Sequence, residues 1–334
     1  MSELSTTNAM PKAIPIAKHF PSIRSPITLG CMWFGGSWGS DTIEPATVKH
    51  MHKALDAALA ADINFIDHAD IYAHGKAEEV FGRVLKERPK LREQVILQTK
   101  CGIRFQDDQG PGRYDFSAEW IEHSVENSLR RLHTEQLDVL LLHRPDPLMH
   151  PEVVAEVFSK LHDSGKVRHF GVSNMHRFQI EFLQAHLSQP LIANQLEVNL
   201  NRTDFLDEGV TAGDPQGLNS NFNSGTIEYC RMHNIQVQSW GSLCMGLFSG
   251  KPVDDLPPHK QKTAQLVAEL AEKHQCSREA ILLAWLLKHP ANIQPVIGTT
   301  NIDRIAACGE ATRIQLARED WYALYVSSRG QPLP

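Results

Sequence analysis

Short apolar runs alternate along this chain with longer amphipathic stretches. Runs rich in β-branched and aliphatic residues lie at 27–33 (ITLGCMW), 63–68 (INFIDH), 95–100 (VILQTK) and 137–143 (LDVLLLH). Four more follow at 167–173 (VRHFGVS), 191–198 (LIANQLEV), 235–240 (IQVQSW) and 294–298 (QPVIG). They read as apolar blocks rather than strict alternation, the pattern of parallel strands covered from outside. Between them, Val48, Met51, Leu55, Ala58 and Leu59 follow the spacing of one helical face. Ile121, Val125, Leu129 and Leu132 do the same, with Ser117 placed as an N-cap. Further helices are expected at 152–163, 176–186, 224–233, 262–274, 278–288 and 301–311. Parallel neighbours need helical crossovers, so eight such units predict a (β/α)8 TIM barrel. A doubly wound sheet is the rival, but it usually stops at about five or six strands.

No linker or repeat divides the 334 residues, so 1–334 is expected to be one domain. A barrel alone takes about 250 residues. The surplus falls in an N-terminal extension (1–24), two long loops (202–224 and 251–260) and a C-terminal helix around Trp321. These additions are expected to cover the barrel mouth and choose the substrate. Hydrophobic residues make up 42% and charged residues 22%, ordinary for a chain that builds its own core. With 33 basic against 39 acidic residues the net charge is −6, which provides no footprint for nucleic acid. The six cysteines form no CxxC pair, which points to reduced thiols and a cytoplasmic location. The first twenty residues lack the apolar core of a signal peptide, and no run approaches the length of a membrane span. Nothing in the composition sets an oligomeric state.

Active sites of such barrels lie at the C-terminal ends of the strands. Polar residues that end apolar runs are therefore the candidates for chemistry. Asp67 ends the second run, Lys100 the third and His143 the fourth, while Ser173 and Asn174 follow the fifth. Gln195 lies in the sixth, Trp240 ends the seventh and Gly298 ends the eighth. Tyr72 stands just past Asp67. Asp, Tyr, Lys and His at one mouth form a proton-transfer set.

The strings around these residues carry a resemblance. NFIDHADIYAHGKAEEVFG, ILQTKCG, LDVLLLHRPDP, GVSN, NQLE and VIGTTNIDRI occur in the order in which the aldo-keto reductase superfamily has them. The sequence resembles that superfamily over almost its whole length. DHADIY, KCGI, HRPDPLM and GKVRHFGVSN are most similar to its bacterial YdhF-type oxidoreductase branch. The resemblance implies reduction of a small aldehyde or ketone by a nicotinamide cofactor. Tyr72 would give the proton, Lys100 would lower the tyrosine pKa, Asp67 would hold Lys100 charged, and His143 would orient the carbonyl. An ammonium about 4 Å away at an effective dielectric near 20 contributes roughly 4 kcal/mol, equivalent to a lowering of up to about three pKa units.

No Rossmann or P-loop glycine pattern occurs, and GGSWG at 35–39 has the wrong spacing. The resemblance instead implies a cofactor lying across the mouth. Ser173, Asn174 and Gln195 match the positions that hold the carboxamide, and Trp240 the aromatic that stacks on the nicotinamide. Ser242 and Leu243 match the loop along the pyrophosphate. Gly298, Thr299, Thr300 and Arg304 match the segment that grips a 2′-phosphate, which favours NADPH with NADH as the lesser choice. The chain departs from the pattern in three places: Gly298 replaces a lysine, Cys308 replaces an Asn or Glu, and Ala73 replaces the glycine after the tyrosine. Asp303 also weakens the positive field beside Arg304. Trp33 matches an aromatic of the substrate pocket, with a core plug as its plainer reading; Met32 and the loop tips are weaker candidates.

The seventeen histidines include no HExxH and no Cys/His cluster, so no metal is expected. The partner is then a small carbonyl compound. Two other functions compete: a nicotinamide-binding regulatory subunit with vestigial catalysis, and a lyase that uses Lys100 as a Schiff-base amine.

Overall fold

The computed structural model describes residues 14–334. Eight strands run β1 (Thr28–Gly30), β2 (Phe65–Asp67), β3 (Ile96–Cys101), β4 (Leu137–Leu142), β5 (Val167–Ser173), β6 (Leu191–Glu197), β7 (Gln236–Trp240) and β8 (Gln294–Ile297). Each pairs in parallel with its sequence neighbours, and β8 pairs with β1 to close the barrel. Closure removes the doubly wound alternative. Every one of the eight expected runs supplies one barrel strand.

The helices are α1 (Pro45–Ala60), α2 (Lys76–Glu87), α3 (Ala118–Leu132), α4 (Pro151–Asp163), α5 (Arg177–Gln184), α6 (Asp204–Val210), α7 (Thr226–Met232), α8 (Pro258–Lys273), α9 (Arg278–Lys288), α10 (Ile302–Gly309) and α11 (Arg318–Arg329). On α1, Val48, Met51, Leu55 and Ala58 are buried against the barrel wall, as their spacing required. Burial contributes roughly 1.5–3 kcal/mol for each large side chain. The Ser117 hydroxyl accepts a hydrogen bond from the Trp120 amide at 3.3 Å and starts α3.

The crossover helix α2 lies outside the expected set. Its buried Ala77, Val80, Phe81, Val84 and Leu85 carry the helical spacing, directly behind the loop that bears Tyr72. Gly82 lets α2 approach α3 so closely that a Cβ there would lie 1.9 Å from the Arg131 carbonyl oxygen. A short hairpin, Ile103–Arg104 against Arg113–Tyr114, is also new and decorates the loop after β3.

The additions divide between the two ends of the barrel. Residues 1–13 of the extension lie outside the described residues, but 14–24 run beneath the barrel, away from the expected mouth. Ile14, Ile16 and Phe20 pack on Phe65, Ile96, Val139 and Ile192, which line the starts of the strands. The Ile16 amide donates to Gln236 Oε1 at 3.4 Å. Inward-facing apolar side chains at the strand starts would otherwise meet water, so the segment serves as a floor.

The C-terminal helix α11 packs on α8 and α9. Trp285 and Trp321 stack at 5.2 Å and 10° and exchange indole N–H to carbonyl bonds of 3.2 and 3.0 Å. The same helix straps the 202–224 loop. Tyr325 Oη and Arg329 Nε both donate to Asp207 Oδ1 at 2.7 Å, and Arg329 Nη2 donates to Gln216 Oε1 at 2.8 Å. A groove of about 1220 Å3 lies on the underside, away from the strand ends that bear Asp67, Lys100 and His143. Its Arg92 and Lys166 are already paired, with Asp138 and Glu126. Among the described residues no helix is long and apolar enough to cross a membrane.

Candidate active site

The end of β2 and the loop after it converge on one ammonium. Lys100 on β3 has no exposed side-chain surface, and Asp67 on β2 has almost none. Lys100 Nζ lies 2.7 and 2.9 Å from the two Asp67 oxygens, 2.8 Å from the His68 carbonyl and 3.0 Å from the Tyr72 hydroxyl. Its three protons are thereby committed. Burial works against the charge, but Asp67 and Tyr72 outweigh it and raise the lysine pKa. Because Nζ donates to the phenol oxygen, the Tyr72 proton points elsewhere.

The expected depression of the Tyr72 pKa is reversed. Burial raises it by more than Lys100 lowers it, and the Asp67 carboxylate raises it further. The ammonium is largely neutralised by Asp67, so its field on the phenol is smaller than that of an isolated charge. Tyr72 keeps its proton at neutral pH. His143 meets the Tyr72 ring edge to face at 5.9 Å. Burial, then Lys100 and Arg144, hold its pKa well below the usual histidine range, so the ring is neutral, and its Nδ1 is buried without a partner among the described residues.

The loop that carries Tyr72 is tightly turned. Ala73, His74 and Gly75 adopt φ of 50°, 57° and 88°, three successive left-handed residues. This explains why a glycine suits the position of Ala73; an L-residue in that region costs roughly 1–2 kcal/mol. Gly35 makes room for the alanine, since a Cβ at 35 would lie 2.6 Å from Ala73 Cβ. At the start of the loop Asp70 is half-buried, with its Oδ1 shut off from solvent; desolvation and the neighbouring Glu78 push its pKa up to about 8.

Below Asp67 lies a layer of glutamines that the sequence reading passed over, Gln195 excepted. Gln98 Nε2 donates to Asp67 Oδ1 at 2.6 Å and to Gln238 Oε1 at 2.9 Å; Gln238 returns a bond to Gln98 at 3.2 Å. Gln195 Nε2 reaches the same Asp67 oxygen at 3.2 Å and Gln238 at 3.0 Å, and Gln238 continues to Gln294 at 3.0 Å. The register places Asp67 beside Gln98, and Gln238 beside both Gln195 and Gln294, so all share one level of the barrel. A signal existed: Gln98 stands two residues before Lys100, and Gln238 two before Trp240, which puts each pair on one strand face.

The remaining candidates form a second cluster. Ser173 Oγ donates to the Gln195 carbonyl at 2.8 Å, and Asn174 Nδ2 donates to Ser173 Oγ at 2.9 Å and to the His143 carbonyl at 3.2 Å. Trp240 Nε1 donates to Asn174 Oδ1 at 3.1 Å. Asn174, at φ 58°, thus ties together the ends of β4, β5 and β7. Ser242 Oγ is spent on the Val296 carbonyl at 2.8 Å, and Leu243 beside it is half-buried. Trp33 is 49% exposed on a short turn after β1, which rules out the core plug.

The end around β8 is open. A Cβ at Gly298 would meet nothing within 4 Å. Thr299 Oγ1 accepts from the Asn301 amide at 3.2 Å, and the Thr300 carbonyl meets His50 Nε2 at 2.7 Å. Arg304 is 45% exposed and pairs through Nε with Glu279 at 2.8 Å. Cys308 is fully buried and faces the core. Among the described residues no His, Cys, Asp and Glu group of metal-binding geometry occurs, and all six cysteines are free.

The chain as a whole is similar to known proteins. The chain is 34% identical over 331 residues to the 6-dehydroglucose reductase of Novosphingobium aromaticivorans, covering 97% of this chain and 98% of that one. It is 34% identical over 292 residues to the oxidoreductase YdhF of Escherichia coli, covering 86% and 90%. A solved aldo/keto reductase from Klebsiella pneumoniae, in complex with NADP and acetate, shares the fold at a TM-score of 0.68 and 24% identity, covering 92% of both chains. Residues 26–325 match the model of the aldo/keto reductase family, and the chain belongs to that family of oxidoreductases.

Proposed function

We propose that this enzyme reduces the carbonyl of a small aldehyde or ketone, with NADPH preferred over NADH and Tyr72 as the proton donor. The observation that carries the reading is the commitment of all three Lys100 protons, one of them to the Tyr72 oxygen. That bond leaves the phenolic proton free for a substrate oxygen. The bound nicotinamide would supply the hydride. An alkoxide formed at the carbonyl is far more basic than phenolate, so a phenol of raised pKa still gives up its proton, and Lys100 steadies the phenolate that results. Neutral His143 can donate one ring N–H to the same carbonyl oxygen and fix its orientation.

The residues at the mouth suit a nicotinamide cofactor. Trp240 offers a half-buried indole face, and the Asn174 and Gln195 amides border it. Ser242 and Leu243 would flank the pyrophosphate, and Gly298, Thr299, Thr300 and Arg304 the 2′-phosphate. Glu279 takes only the Nε edge of Arg304, which leaves both Nη groups for an anion. The names of relatives that reduce 6-dehydroglucose place oxygen-rich carbonyl compounds among the substrates to try.

The rival functions fare worse. A Schiff base needs a neutral amine with a free lone pair, whereas Lys100 is buried, charged and fully bonded. A vestigial regulatory subunit would have no need of an intact tetrad at these distances. Free cysteines support the cytoplasmic location. The test is a panel of aldehydes and ketones followed by the loss of NADPH absorbance, with NADH in parallel. Absence of turnover across the panel in either direction would overturn the reading.

A further inference from the structure

A second chamber adjoins the reacting groups. It is an open-mouthed hollow of about 230 Å3 between the ends of β5 and β6 and the 202–224 loop. Asn174 forms part of its wall, and that same side chain bonds the His143 carbonyl and the Trp240 indole, so chamber and active site share one partition. Arg144, next in sequence to His143, lines it with its guanidinium 6.0 Å from the centre of the Trp240 ring. No carboxylate or hydrogen-bond partner meets that guanidinium among the described residues, whereas Arg202 in the same wall pairs with Glu197 at 3.5 Å.

Some of the other polar groups in the wall are also free to bind, although Arg202 is paired with Glu197 and Thr226 Oγ1 is bonded. The Asn221 and Asn223 side-chain amides make no hydrogen bond among the described residues, and His176 uses Nδ1 to accept from the Gln179 amide, which leaves Nε2–H. Glu197 Oε2 lies 3.5 Å from Arg202 Nε and Asp204 Oδ1 accepts from the Asn221 backbone amide at 3.2 Å, which leaves each carboxylate one further oxygen as an acceptor. Arg144 and Arg202 are thus balanced by two carboxylates. A phosphate or carboxylate ligand would meet those carboxylates and be repelled. A neutral chain with alternating donors and acceptors would satisfy both sets, because each hydroxyl both gives and takes a hydrogen bond. At roughly 30 Å3 per water the volume equals about seven or eight waters, room for a few hydroxylated carbons.

We infer that this chamber holds the polyhydroxylated tail of the substrate and makes the enzyme selective for uncharged sugar-type carbonyl compounds over plain aldehydes. The inference rests on the reductase reading above and adds the substrate class to it. Unbonded donors in a site built for hydroxyl groups penalise an analogue that lacks them, so the selectivity comes from both sides.

The experiment compares two four-carbon aldehydes, D-erythrose and butanal, with NADPH in wild type, Arg144→Met and the Asn221→Ala/Asn223→Ala double variant. Wild type is expected to favour erythrose in kcat/KM by at least about tenfold, and each variant to lower that ratio by on the order of tenfold. NADPH affinity, read by fluorescence titration, should stay within about twofold, which also establishes that the variants fold. Equal ratios in all three proteins would overturn the inference while leaving the reductase reading intact. A rise in the NADPH Kd with an unchanged ratio would give the chamber to the cofactor and also overturn it. Erythrose 4-phosphate preferred over erythrose would replace the neutral class by an anionic one. Wild type that reduces neither aldehyde but turns over other members of the wider panel would overturn only the chamber assignment, whereas no turnover at all would remove both readings.

Discussion

On one side of the mouth Lys100 has no exposed surface and its ammonium touches four oxygens; on the other Arg304 stands 45% exposed and shares a single contact with Glu279. Behind Lys100 the order continues inward through Asp67 to Gln98 and Gln238. Behind Gly298 there is open space. The first arrangement is rigid and expensive to disturb, because each buried polar group relies on its neighbour. The second is loose, as suits a group that must enter and leave. In the proposed function the first part of the mouth sets chemistry and the second sets affinity.

Four measurements sharpen this contrast, from the largest effect to the smallest. Tyr72→Phe removes the proton and strands one Lys100 N–H; turnover should fall on the order of 10³-fold with cofactor affinity near normal. Turnover within tenfold of wild type would take Tyr72 out of its role. Gln98→Leu removes a 2.6 Å donor from Asp67 and leaves Gln238 Oε1 short of one partner. We expect kcat to drop on the order of tenfold or more with the KM for NADPH unchanged, and a loss of thermal stability alone would make the glutamine layer purely structural. Arg304→Ala should raise the KM for NADPH about tenfold and that for NADH less than about twofold. Equal effects on the two would remove Arg304 from phosphate binding.

The fourth measurement, smallest in its effect on turnover, concerns pH. Asp70 has a folded pKa near 8 against 3.8 for the free side chain, so the native state holds a proton that the unfolded chain has lost. Its contribution is fully present below about pH 4, declines across that interval and is gone as pH rises through 8, at up to about 1.4 kcal/mol per unit. Asp70→Asn should therefore flatten the fall of Tm between pH 6 and 9. A slope identical to wild type would mean that Asp70 is ionised in the native state.

The fold was legible because eight apolar runs and their helices repeat one unit, and closure follows from the count. The meeting of Asp67, Tyr72 and Lys100, with His143 against the tyrosine ring, was legible from their place at strand ends together with specific strings. The Tyr72 pKa was not, since its direction depends on burial and on the neutralisation of Lys100 by Asp67, which no spacing encodes. The glutamine layer was hidden for a different reason. In a barrel the inward face of a strand alternates with the outward one, and isolated glutamines inside VILQTK or IQVQSW look like interruptions of an apolar block. The destination of the N-terminal segment escaped because apolar residues at 14, 16 and 20 say that something is covered, without saying which end.

That floor has a consequence for synthesis. Ile16 meets Gln236 across a sequence separation of 220 residues. On a ribosome the segment emerges before every strand of the barrel, yet its seat is complete only after β7 has been made. Until then its isoleucines and phenylalanine stay exposed, during the interval in which long-range pairing is slow and aggregation competes. Seating of residues 14–20 is therefore a late step, and burial of Phe20 on Phe65 would report completion of the barrel rather than its beginning.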